Sequence, residues 1–178
     1  PSTANYVAYK LCRRFVTDTP PASLVASTAQ AFLTNDTQLV PTLRHLFSSP
    51  EFAASEGQKL RRPIEAMAAM LRALHIEVPV HPDGRSARTL RTRLAAQGNE
   101  PWTWEQPNGF PDRAGHWLGA NGILNRWNLA GRLARNAESA GANGDLLLVN
   151  YGALRVGGAT MADLISLLGQ RFGVGQLP

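Results

Sequence analysis

The chain has 178 residues, 44% of them apolar. A domain of this size buries roughly 70% of the surface its unfolded chain exposes, so neither disulfides nor metals are needed to hold it. A single cysteine, Cys12, excludes an internal disulfide, and a buried thiol is the expected state for it. The net charge of +5 comes from 16 Arg and 2 Lys against 13 acids, but these basic residues are spread from Lys10 to Arg171 without forming a block, so nucleic acid is not the expected partner.

In chain order, Ala4, Val7, Ala8, Leu11, Cys12 and Phe15 recur at three-and-four spacing and predict a helix from about Thr3 to Val16. Pro20 and Pro21 end the intervening turn and open a second helix that buries Leu24, Val25, Thr28, Ala29 and Phe32. Leu39, Leu43, Leu46 and Phe47 form a third stripe, with Pro41 too deep for a helix capped by Asp36. Ser49, Pro50 and Glu51 supply a cap, a first-turn proline and a favourable acid for a short fourth helix.

Pro63 opens a helix with the stripe Ile64, Met67, Ala68, Leu71 and Leu74. After the turn from Pro79 to Gly84, Ser86 is the expected cap of a basic helix carrying Arg88, Arg91 and Arg93. From Gly98 to Pro111 helical periodicity stops. Trp102, Trp104 and Phe110 make this an ordered Trp/Pro-rich loop, since disordered linkers are poor in aromatics. Asp112 is the expected cap of a short turn through Leu118, and Asn121 of a long helix to about Glu138. A Gly/Ala-rich connector follows over 139–159, with Leu146 to Val149 too short to distinguish a strand from a buried loop. Thr160 and Asp163 form a capping box for a last helix. The expected fold is all-α: an irregular bundle of about seven to eight helices with one long ordered loop, in a single helical domain that reads as a fragment of a larger chain.

No run reaches the ~18 apolar residues of a membrane span, and Pro1 to Tyr6 carry no signal-peptide pattern. The histidines, His45, His75, His81 and His116, show no zinc-ligand spacing, and no phosphate loop, dinucleotide fingerprint or nucleophile elbow occurs, so neither a metal nor a cofactor is expected. Two constellations remain. Lys10, Lys59, Glu65, Arg72 and Arg126 are the candidate polar cluster, in which Glu65 is expected to be buried and paired with Lys10, Lys59 or Arg126; its expected role is structural. Trp102, Trp104, Asn108 and Asp112 are the candidate ligand surface, flat rings beside polar groups that suit a sugar or peptide, with one indole packed on the helix beginning near Asn121.

Several short motifs in a fixed order carry a resemblance. They are Pro1-Ser-Thr-Ala4, the run Lys10 to Val16 followed by Pro20-Pro21, Ser49-Pro-Glu-Phe52, and Lys59 with Pro63, Glu65 and Arg72; then come Gly109-Phe-Pro-Asp112, Trp117-Leu118 and Arg126-Trp-Asn128. Over Pro1 to Leu133 the chain resembles the later part of the bacterial family catalogued as domain of unknown function 1800. The resemblance implies a large, helical, exported protein, often encoded beside an exported sulfatase-like protein. It implies no catalytic residue. The chain departs from the family's commoner pattern at Cys12 and at Trp102-Thr-Trp104.

The resulting expectation is a helical interaction or scaffold segment, its partner being a missing amino-terminal half or the sulfatase-like protein, with an exposed apolar docking face. The alternatives are a hydrolase fragment using Glu65 or Asp112 with the Arg126 region, or a polysaccharide-binding surface on the Trp-rich loop. Catalytic residues are not assignable, and no recognisable motif marks this segment alone as an enzyme.

Overall fold

The structure, a computed structural model, describes residues 1–78, 80, 82–134, 148–149 and 160–172. These form two compact units: Pro1–Leu60 with Asp112–His116, and Arg61–Pro111 with Trp117–Pro178. The described residues are predominantly helical, as the apolar periodicity predicts.

In the first unit, α1 (Ser2–Phe15) packs on α2 (Ala22–Thr34), which packs on α3 (Leu39–Phe47). The α1 stripe supplies small residues. Ala4 and Ala8 let the two helices approach closely and meet Ala29 and Phe32, while farther along Cys12 and Val16 pack with Leu24 and Leu46. Pro41 is the third residue of α3, early enough that its missing N–H breaks no helical hydrogen bond. The start comes late because Asp36 and Thr37 both have positive φ, and Gln38, not Asp36, stands at the N-cap. The short α4 (Pro50–Ala53) begins as its sequence dictates, with the Ser49 hydroxyl accepting from the Phe52 N–H at 3.2 Å.

In the second unit, α5 (Pro63–Ala73) and α6 (Arg85–Ala95) line a core with α8 (Ala120–Ala134), in which Met67, Leu94, Leu129 and Leu133 are buried and Leu71, Leu74 and Leu90 close the edges. The basic helix starts two residues earlier than the Ser86 cap implies. Gly84, at φ +67°, makes the left-handed turn that a β-carbon would strain, and Asp83 Oδ1 accepts from the Arg85 N–H, which leaves Ser86 inside the first turn and buried. The short α7 is Ala114–Trp117, and α8 begins at Ala120, one residue before the expected cap. Its expected last turn, 135–138, lies outside the described residues, as do Pro79, His81 and most of the 139–159 connector. Of that connector, Leu148–Val149 is described: it forms β2, antiparallel to β1 (Ile76–Glu77) in the register Ile76↔Val149. The last helix, α9 (Met161–Phe172), begins with the expected capping box: the Asp163 carboxylate accepts from the Thr160 N–H and the Thr160 hydroxyl accepts from the Asp163 N–H. Near the end of α9, Arg171 donates to the Ala73 carbonyl at the end of α5 (3.2 Å), a favourable place for a cation.

Candidate functional site

The densest polar constellation in the first unit centres on Lys59. Its ammonium lies 2.5 Å from Asp18 Oδ1, donates to the Asp112 carbonyl at 3.2 Å and faces Asp112 Oδ1 at 3.6 Å. Three oxygens thus match the three donors of an ammonium group. Arg14, in the last turn of α1, reaches Asp112 Oδ1 at 3.3 Å. The second oxygen of Asp18 accepts from the Ala114 N–H at 2.6 Å, so a carboxylate 96 residues away in sequence caps α7 where Asp112 was the expected cap. Burial disfavours the charged form of Asp18, but the hydrogen bonds from Lys59 and Ala114 and the charges of Lys59 and Arg113 outweigh it and hold the carboxyl below its ordinary value.

Of the other polar candidates, Lys10 is exposed on α1. Glu65 is half-buried and paired as expected, but its partner is the adjacent-turn Arg62 and not Lys10, Lys59 or Arg126: Arg62 donates Nε and Nη2 to Oε1 at 2.9 and 2.7 Å, and its backbone N–H donates to Oε2 at 3.0 Å. This is the reciprocal half of a capping box, placed three residues after the N-cap. Arg72 is exposed and borders a shallow, open depression with Leu71, His75, Ile76 and Glu77. Arg126 is partly buried on α8. Its Nε has no hydrogen-bond partner among the described residues, and burial lowers its ordinary, very high pKa.

The Trp-rich loop divides its two indoles. Trp104 stacks at 5.0 Å on Phe110, which lies 5.9 Å from the buried Trp117, and Trp117 donates to the Pro111 carbonyl. Trp104 Nε1 donates to Asn108 Oδ1 at 3.2 Å. Trp104 therefore packs on the Phe110–Trp117 pair. Trp102 stands 98% exposed at φ +63°, a backbone region that costs a bulky residue on the order of 1–3 kcal/mol. Trp102, Trp104 and Asn108 belong to the second unit and Asp112 to the first, where Lys59 and Arg14 engage it.

A family model described as Protein of unknown function (DUF1800) matches residues 1–177. The chain belongs to this family. No curated protein and no solved structure is significantly similar to it. The match runs past Leu133, so the connector and α9 belong to the family's pattern as well. Of the residues that carry the resemblance, Lys59 and Asp112 are in the charge network, Pro63 and Glu65 start α5, and Phe110 and Trp117 anchor the loop. Among the described residues no three His, Cys, Asp or Glu side chains are grouped as a metal site, and no helix is long and apolar enough to cross a membrane.

The network around Lys59 was missed as a unit because sequence spacing carries no sign of it. Asp18 reads locally as a turn residue, and only the fold brings it to Lys59 and Ala114.

Proposed function

We propose that this chain is a helical interaction segment of an exported bacterial protein, and that it docks a partner protein through the outer face of α8. One observation supports this reading most: Leu124 and Trp127, three residues apart and so on one helical face, are 52% and 69% exposed, while Leu129 and Leu133 of the same helix are buried. A helix that buries one apolar stripe and leaves a second in water has a face suited to association. Trp is also the residue that most often dominates binding energy at protein interfaces. Export, bacterial origin and the sulfatase-like identity of the partner rest on the family resemblance.

The test is site-specific photo-crosslinking in the producing cells, with the reactive group at position 127 and, as control, at the exposed Arg88 of α6. A single adduct with a sulfatase-like protein at 127 and none at 88 supports the reading, and equal labelling at both positions contradicts it. Fractionation of the same cells tests export directly, since recovery of the protein with the cytoplasm contradicts that part.

A second reading, carbohydrate binding on the Trp-rich loop, is favoured by Trp102. A fully exposed indole on strained backbone is an available stacking platform, and Trp102→Ala would abolish any saturable quenching of tryptophan fluorescence by oligosaccharides. Quenching that persists in the variant excludes Trp102 as the platform.

A further inference from the structure

A small cleft lies between α6 and α8, lined by Arg93, Ala96, Asn125, Asn128, Leu129 and Arg132. Its volume is about 70 Å³, several times the ~10–15 Å³ that holds one water and on the scale of a single small anion. Helical geometry builds one wall from sequence alone: Asn125, Asn128, Leu129 and Arg132 are spaced three, four and seven apart and so share one face of α8. Arg93 and Ala96 present the facing edge of α6.

The cleft's polar groups are mostly donors. Two guanidiniums and two carboxamides line it, and no carboxylate does among the described residues. Two carbonyls near the end of α6, which would repel an anion, are already engaged: Asn125 Nδ2 donates to the Ala96 carbonyl at 2.8 Å, and Gln97 Nε2 donates to the Arg93 carbonyl at 3.1 Å. The first of these bonds also fixes the Asn125 side chain across the two helices. Arg93 and Arg132 have other interactions as well, and a guanidinium carries five N–H donors. Planar forks of this kind match the paired oxygens of phosphate or sulfate.

We propose that this cleft, where Arg93 of α6 faces Asn125, Asn128 and Arg132 of α8, binds one tetrahedral oxyanion, phosphate or sulfate, either free or as the terminal group of a monoester. The two guanidiniums supply charge and paired donors, the carboxamides orient the remaining oxygens, and Leu129 closes the floor. A cleft of this volume takes one such group and not a run of them.

The experiment titrates the full chain with inorganic phosphate, sulfate and glycerol 3-phosphate at constant ionic strength, with chloride as control. Binding is followed through the side-chain Nε–H resonances of Arg93 and Arg132. Saturable shifts of both resonances with the oxyanions and not with chloride are expected. Arg132→Gln, at an exposed position that folding tolerates, should weaken binding at least tenfold, Arg132→Lys should weaken it less, and Arg88→Gln, outside the cleft on the same α6, should leave it unchanged. Glycerol 3-phosphate binding as well as phosphate assigns an esterified ligand, and its exclusion assigns the free ion; both keep the site. Shifts matched by chloride, or binding that survives Arg132→Gln unchanged, overturn the proposal.

Discussion

Asp18 holds two segments through two oxygens, one on the Lys59 ammonium and one on the Ala114 N–H. Its carboxyl is held below its ordinary value, so its contribution to stability is fully present above about pH 4 and is lost as pH falls through the lower folded value. Urea midpoints of the native chain should therefore drop more steeply below pH 4 than those of Asp18→Asn, and parallel profiles would contradict this. Lys59→Met leaves Asp18 and Asp112 facing each other's partners without the shared cation. A loss of about 2 kcal/mol in denaturant unfolding is expected, the scale of a hydrogen bond to a charged group. Cys12 gives a chemical readout of the same unit: burial raises its thiol pKa, the Thr28 hydroxyl and its own backbone partly offset that, and the Glu51 charge raises it again. The native thiol should resist a disulfide reagent at pH 8 and react promptly in denaturant. Prompt reaction of the native chain would mean that the α1–α2 contact opens.

At the scale of elements, the starts and stops of helices were legible where the cap is local. Ser49, Thr160 with Asp163, and the proline starts at Pro50 and Pro63 act on neighbours within one turn, and the structure has them. The same locality explains the Glu65 result. Its partner stands three residues back, whereas the apolar surroundings of Glu65 in the sequence suggested a distant one. Glu65→Ala should accordingly cost about 1 kcal/mol, the range of a cap with one half-exposed ion pair, and not the ~3 kcal/mol of a stranded buried charge. A measured loss near 3 kcal/mol would mean that the Arg62 pair is far more shielded from water than its geometry shows. Ser49→Ala should cost about 1 kcal/mol for the same local reason, measured by thermal or urea unfolding. What was not legible depends on chain reversal: Asp18 capping α7, Arg171 on the end of α5, and the β1–β2 pair all join residues more than 70 apart in sequence. No periodicity encodes such pairings. The Trp-rich loop lies between these cases. Its aromatic content announced packing, but which ring turns inward depends on Phe110 and Trp117 lying within reach of Trp104.

At the scale of the molecule, each unit has its own apolar core, and α8 both contributes to one of them and presents apolar side chains to water. Two demands on one helix separate cleanly under substitution, because folding uses Leu129 and Leu133 whereas the proposed docking uses Leu124 and Trp127. Changing both outer residues, Leu124→Lys with Trp127→Lys, should alter stability by no more than about 0.5 kcal/mol, as exposed positions usually do. The decisive measurement is the hydrodynamic size of the protein extracted gently from the cells that make it, for the native chain and for this double variant at equal expression. The docking reading predicts a larger complex for the native chain that collapses to the size of the lone protein in the variant while its unfolding midpoint is retained. An unchanged elution position, whether both run alone or both run in the same complex, would contradict it.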